Sequence, residues 1–301
     1  MTPTTTTVRP KGDSQLLERI AATIGELPTS PAVVSAVMGL TADLNTEITK
    51  LARALSADPA LTAKVLRISN SPFYGRARSV SSLDEAVMIL GFFTIRSLVV
   101  ATSAYSMFKR NGGDGLEHSL WEHSLAVAMG ARITARRLNA GHVDEVFLAG
   151  LLHDIGVLIL LQKMPREYRG ILDTARKNDT PLIELEKEKL GFNHVDLGVA
   201  MLERWNFPPF LVESIRLYRN PEVVSSNVSP ADLETVKRNA HIVCFADELA
   251  KTLGYDFHAT IPVEMGGAPC VKALNLSPDC ITNITEELTE RFAEEQSLFE
   301  G

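Results

Sequence analysis

Val146-Phe147-Leu148-Ala149-Gly150-Leu151-Leu152-His153-Asp154-Ile155-Gly156-Val157-Leu158 decides the reading of this chain. The run is apolar on every side of a helix, so it belongs in a core. One adjacent pair, His153-Asp154, breaks it. An unpaired carboxylate costs several kcal/mol to bury, and the usual remedies are a partner or a metal. The pair therefore needs company from elsewhere in the chain.

Helical spacing supplies candidates on both sides. His123 has Leu116, Leu120, Ala126 and Val127 at −7, −3, +3 and +4, which puts it on an apolar stripe. His194 heads a stripe of Leu197, Gly198, Met201, Leu202 and Trp205. Asp247 shares a face with Ala240, Val243, Cys244 and Ala250. Taken singly, each histidine reads more readily as a hydrogen-bonded core residue than as a ligand, and His153-Asp154 alone could be a plain pair. Taken together, three imidazoles and two carboxylates on separate core-facing helices suggest a meeting point. Such a set suits Mn, Fe, Ni or Zn better than Mg or Ca. His118 and His142 lie beside polar neighbours, His258 lies in an irregular segment, and His241, six residues before Asp247, points elsewhere.

The rest of the chain is read as all-α. Proline follows a capping residue at Ser30-Pro31, Asp58-Pro59, Thr180-Pro181, Ser229-Pro230 and Ser277-Pro278, where its missing N–H costs nothing. Ser82-Leu83-Asp84-Glu85 reads as a capping box. Gly91, Gly191 and Gly254 stand near expected helix ends. About a dozen helices result, with a short strand expected only near 259–263. The Thr-rich residues 1–13 read as a disordered tail, 14–111 as an N-terminal helical subdomain, and 112–256 as a second helical bundle entered through the Gly-rich stretch Asn111–Gly115. Residues 257–301 read as an irregular segment and a last amphipathic helix with Ile284, Leu288, Phe292 and Leu298 on its apolar face.

Composition excludes several classes. With 45% hydrophobic and 22% charged residues over 301 positions, the chain is not of disordered type. Thirty basic against 37 acidic residues give a net charge of −7, which argues against nucleic acid as a partner. The three cysteines, Cys244, Cys270 and Cys280, form no CxxC pair, so neither a disulfide framework nor a cysteine-built zinc site is expected. Arg96 interrupts the apolar segment 86–108 and His153-Asp154 the segment 146–161, so neither reads as a membrane span. A cytoplasmic location is the expectation. No P-loop, GxGxxG or nucleophile elbow occurs. Arg76 and Arg78, after Asn70-Ser71-Pro72-Phe73-Tyr74-Gly75, read as surface charges.

These residues resemble the HDOD family, a bacterial signalling branch of the HD phosphohydrolase superfamily. The resemblance runs from about Leu27 to Leu253. It is carried by Leu27-Pro28, Pro31, Asp58-Pro59-Ala60-Leu61, Val65-Leu66, Ser69-Asn70-Ser71, Tyr74-Gly75, and Ala86 with Leu90-Gly91. Further along it is carried by Gly150-Leu151-Leu152-His153-Asp154-Ile155-Gly156, His194 with Gly198, and Trp205-Asn206-Phe207-Pro208. It implies an HD-like helical bundle with an N-terminal helical subdomain. It implies metal ligation by His123, His153, Asp154 and Asp247, with His194 as the extra histidine used when two metals bind. The sequence departs from the cyclic-dinucleotide phosphodiesterase branch. Val157 stands where that branch has Lys, Arg216–Pro221 holds no His-His pair, and no Gly-Tyr-Pro element is present. Arg219 is a candidate for anion binding by position only.

The expectation is a stand-alone regulatory module acting on signalling proteins or on a nucleotide or phosphate ligand. It would hold one divalent transition metal and retain little hydrolase activity. A metal-dependent phosphohydrolase is the alternative.

Overall fold

A computed structural model of the chain describes residues 14–23, 31–42, 45–70, 80–109, 115–205, 207–223, 228–258 and 265–300. The expected tail at 1–13, the turn at 71–79, the break at 111–114 and the strand at 259–263 lie outside them. Among the described residues there is no strand. The helices are α1 Ser14–Thr23, α2 Pro31–Ala42, α3 Ile48–Ser56, α4 Pro59–Ser69, α5 Leu83–Lys109, α6 Leu116–Arg137, α7 Val143–Leu152 and α8 Ile155–Lys163. They continue with α9 Pro165–Asn178, α10 Leu182–Leu190, α11 His194–Arg204, α12 Pro209–Leu217, α13 Pro230–Thr252, α14 Pro269–Ala273 and α15 Pro278–Glu300. A 3-10 turn at Met265–Gly267 precedes α14.

Local chemistry sets most boundaries. Pro31, Pro59, Pro230 and Pro278 each open a helix. Asp58 Oδ1 accepts the Leu61 N–H at 3.0 Å, and Ser229 caps α13 through the Asp232 N–H. Pro181 differs, because α10 begins one residue later and Pro181 is its N-cap. Ser82 accepts from the Glu85 N–H, but the Glu85 carboxylate returns to Ser81 rather than to Ser82. Gly91 adopts φ +81° inside α5 and kinks it. Gly191 closes α10 in the left-handed conformation that glycine adopts without strain.

The core centres on α6, buried on nearly every face from Leu120 to Ala135. Helices α7, α13 and α15 pack around it, and α2, α3 and α4 pack on α5. The last helix lies on the body, with Ile284, Leu288 and Phe292 buried against it. The window Leu83–Ala104 of α5 is long and apolar enough to cross a membrane, but 67% of it is buried inside the fold, as in a core helix. Helix α5 meets α7 through polar contacts, Thr94 Oγ1 to Asp144 Oδ2 at 2.7 Å and Arg96 to Glu145 at 3.8 Å.

Candidate metal centre

The motif around His153 is a joint between two helices. Helix α7 ends at Leu152, His153 is its C-cap, and Asp154 is the N-cap of α8. The two side chains therefore leave the backbone at one corner inside the core. Two glycines let that corner close. A Cβ on Gly150 would stand 2.9 Å from the Ala128 Cα of α6. One on Gly156 would collide with the His194 carbonyl oxygen and stand 3.1 Å from the Gly198 nitrogen of α11. The absent side chains bring α7 onto α6 and α8 onto α11, each of which carries a site histidine.

The structure brings all five predicted residues together, each 2% exposed or less. His123 Nε2 is 3.3 Å from His153 Nε2, 3.3 Å from Asp247 Oδ1 and 3.6 Å from Asp154 Oδ2. His153 Nε2 is 3.2 Å from Asp154 Oδ2 and 3.8 Å from Asp247 Oδ1. His123, His153 and Asp247 offer one donor atom each within 4.8 Å of the others, and Asp154 Oδ2 lies as close to the same two imidazoles. His194 joins from the far side, its Nε2 3.3 Å from Asp154 Oδ1.

The imidazole tautomers follow from their outer partners. His123 Nδ1 lies 2.7 Å from the Tyr255 carbonyl oxygen, and His153 Nδ1 lies 2.7 Å from that of Gly150. A carbonyl only accepts, so both Nδ1 atoms carry protons. His194 Nδ1 donates to Glu186 Oε2 at 2.7 Å, and the His194 backbone N–H donates to the same oxygen at 3.0 Å. Glu186 is fully buried and accepts from the Tyr168 hydroxyl through its other oxygen. In the neutral rings the Nε2 atoms of His123 and His153 then present lone pairs to one small volume, and that of His194 points at Asp154 Oδ1. The first two face each other at 3.3 Å. His194 Nε2 and Asp247 Oδ1 have no hydrogen-bond partner although both are buried. Lone pairs and an orphaned carboxylate oxygen converging inside a core fit a divalent cation, and the Nδ1 anchors are what metal-binding histidines require to hold their orientation.

Without a cation, protons relieve the repulsion. Burial opposes charge on His123, but the hydrogen bond and charge of Asp247, with Asp154 behind, outweigh it and raise the pKa. Burial likewise opposes charge on His194, and Glu186 with Asp154 overcomes it, raising the pKa to about 9. The Asp154 carboxyl is held well below its ordinary range against burial by His153 and then His194. The Asp247 carboxyl is held low against burial by Lys251, Arg219 and His123.

Two cations stand at the edge of this centre. Asp247 Oδ2 is 2.8 Å from Lys251 Nζ and 3.2 Å from Arg219 Nη1. Arg219 Nε donates to the Tyr218 hydroxyl at 2.8 Å, which donates to Asp154 Oδ1 at 3.0 Å. Position alone singled out Arg219, and the structure places it against Asp247. The sequence suggested no other cation near the motif, yet Lys251 lies one helical turn beyond Asp247. That i,i+4 spacing was a readable signal. Tyr218 gave none; Glu186 sits in the charged run Glu184-Leu185-Glu186-Lys187-Glu188-Lys189, but Leu182, Ile183 and Leu190 at −4, −3 and +4 put it on an apolar stripe. His118 and His142 are more than half exposed, and His241 faces Glu222 across another side of α13.

Residues 27–221 match the HDOD domain family. An HDOD domain protein of unknown function from Geobacter sulfurreducens has the same fold, with a TM-score of 0.75 at 26% identity over 95% of this chain and 96% of that one. A Shewanella amazonensis protein provisionally named a phosphohydrolase superposes with a TM-score of 0.60 at 24% identity over 90% of this chain and 97% of its own. An uncharacterised protein of Treponema pallidum (strain Nichols) is 21% identical over 208 residues, which are 69% of this chain and 40% of that longer protein. The chain therefore spans well under two thirds of that relative.

Proposed function

The chain belongs to the HDOD domain family, and from that membership we propose a regulatory module built around one buried divalent transition metal, with little or no hydrolase activity. The carrying observation is closure. All five candidate ligands are 2% exposed or less, and Tyr218 with Arg219 spans the two carboxylates. A substrate phosphate would have to displace that bridge.

In this reading His123, His153 and Asp247 hold the ion, a Mn, Fe, Ni or Zn species by the nitrogen and oxygen donors offered. When bound, the ion supplies Lewis acidity and ties α6, α7 and α13 together. Asp154 Oδ2, 3.2 Å from His153 Nε2 and 3.6 Å from His123 Nε2, is the further ligand, and its Oδ1 faces His194. Lys251 and Arg219 neutralise the outer oxygen of Asp247, which leaves Oδ1 for the centre. Tyr218 excludes water from Asp154. The signal is passed through contacts with signalling proteins, for which a rigid, metal-tied bundle is a suitable body.

A metal-dependent phosphohydrolase acting on a nucleotide, cyclic dinucleotide or phosphomonoester is the competing reading. It is favoured by Arg219, whose side chain is 32% exposed and within reach of an incoming phosphate. Elemental analysis of protein purified without chelators, with a hydrolysis screen on bis-p-nitrophenyl phosphate and cyclic dinucleotides, separates the two. The regulatory reading expects about one metal per chain, lost in His153→Ala and Asp247→Ala. It also expects turnover below about one per minute, far under the ordinary enzymatic range of roughly 1–10³ per second. Turnover within that range, abolished by the same substitutions, establishes the hydrolase instead.

A further inference from the structure

Outside the metal centre, helices α13 and α14 bring two cysteines together. Cys244 lies on α13 and Cys270 in α14, 26 positions apart, and neither belongs to a motif that announces a pair. The two helices pack on each other. Cys270 lies in the core at 2% exposure, and Cys244 packs against that core while staying partly exposed. Both are free thiols. The Cys244 thiol donates a hydrogen bond to the Cys270 sulfur. Sulfurs in such contact are a side-chain adjustment away from the ~2 Å bond of a disulfide. The same hydrogen bond holds the Cys270 thiol below its ordinary range against burial, with help from the Val271 backbone N–H. That bond, and then burial, push the Cys244 thiol up. Once one proton has left, the pair is a thiol beside a thiolate, and a proton shift along the hydrogen bond places the charge on either sulfur.

We propose that Cys244 and Cys270 form a reversible thiol–disulfide site, oxidised by a hydroperoxide, that ties α14 to α13. Cys244 is the sulfur an oxidant meets, because Cys270 is covered. The Cys244 thiolate attacks the terminal peroxide oxygen. An S–O bond forms, the O–O bond breaks, and the departing alkoxide takes the proton of Cys270. The Cys270 thiolate then attacks the Cys244 sulfur. The S–S bond forms, the S–O bond breaks, and the hydroxide released takes up the proton that the pair first gave to solvent. Two thiols are oxidised, and one hydroperoxide is reduced to an alcohol and water. A resolving sulfur already in contact captures the sulfenic acid before a second peroxide can oxidise it further. Cys244 is three residues before Asp247 on the same helix. The link therefore forms about one turn away from a candidate metal ligand.

The test uses the full chain, reduced, freed of reductant and kept with chelator so that no metal-driven oxidation intrudes. Treated with a small excess of hydrogen peroxide, it should fall from three titratable thiols to one, counted in denaturant. Peptide mapping should join Cys244 to Cys270 within one chain, and dithiothreitol should restore all three thiols. The oxidised form should melt at least about 3 °C higher, as closure of a 26-residue loop predicts. Cys280→Ser should leave the bridge and the rise in Tm unchanged, and Cys244→Ser should abolish both. Retention of all three thiols overturns the proposal. So does a bridge that includes Cys280 or a second chain, or sulfinic acid at Cys244 with Cys270 still free. Mapping of the parent chain decides the matter even where Cys244→Ser fails to fold. None of these outcomes bears on metal content, so the regulatory reading stands or falls separately.

Discussion

Gly156→Ala tests how the motif closes. The added methyl would collide with the His194 carbonyl oxygen and come within 2.7 Å of its carbonyl carbon, both backbone atoms at the start of α11. A flexible side chain could swing aside; a helical backbone cannot. Helices α8 and α11 must separate by on the order of 1 Å, and overpacking of this kind costs about 1–3 kcal/mol or somewhat more. With no flexible atom to absorb the clash, the upper end applies, roughly 3 kcal/mol. For a chain of this size that corresponds to a fall in Tm of roughly 5–10 °C. Gly170→Ala, in the middle of α9, is the control, since a Cβ on that helical residue meets nothing within 4 Å. Alanine's helix propensity should stabilise that variant by about 0.5–1 kcal/mol. Gly198→Ala should fall between, because its nearest neighbour is the Ile155 Cγ2 methyl at 3.2 Å. Thermal unfolding followed by circular dichroism, with chelator present so that metal linkage does not mask the difference, reads all three. If Gly156→Ala melts within about a degree of the parent while Gly170→Ala behaves as expected, the close approach of α8 to α11 is not what the glycine serves.

Lys251→Met should destabilise the metal-free protein by about 3 kcal/mol in urea unfolding, since it strips the closest partner from the buried Asp247 carboxylate. Arg219→Ala should cost only about 1 kcal/mol because that side chain is one third exposed and its pairing is screened; the opposite ranking would contradict the assignment. His194 has a folded-state pKa raised to about 9, so its contribution is fully present below its ordinary value of 6.5 and is lost as pH rises through about 9. Chelator-treated protein should therefore lose stability from pH 7 to 9, and a flat profile there would refute the pairing with Glu186 and Asp154. In the acid direction, Asp154 and Asp247 are held low, so their contribution is present above the ordinary carboxyl value of 3.8 and disappears as pH falls below it. Glu186→Gln should move the His194 titration, followed by NMR, down towards 6.5. Combining it with Tyr168→Phe should cost less than the two single changes added, because both act on one hydrogen-bonded chain.

Residue types and spacing carried most of the fold. Proline at the first helical position marks α2, α4, α13 and α15, and the helical stripe of Ile284, Leu288 and Phe292 located the last helix and its buried face. The five-residue cluster was legible for a related reason. His123, His194 and Asp247 fall on apolar stripes, and a polar side chain on the buried side of a helix needs a partner wherever the helices meet. The capping box of α11, Asn193 with Asp196, carries the same kind of sequence signal as Ser82 with Glu85. Glu186 was legible as a polar residue on the apolar face of Leu182, Ile183 and Leu190, but its partner was not: only the approach of α11 turns it into the anchor of His194.

What the sequence determined by itself is the periodic part: helix positions, which faces turn inward, and which ionisable groups must share a core. Those follow from the 3.6-residue repeat and from the cost of burying charge alone, both properties of local segments. What only the tertiary structure decided is the order of contacts inside that core. It put Lys251 and Arg219 on one oxygen of Asp247, left the other facing two imidazoles, and set Tyr218 over Asp154. Such choices depend on ångström-scale helix approaches, like those at Gly150 and Gly156, which involve residues far apart in the chain and leave no repeating trace along it.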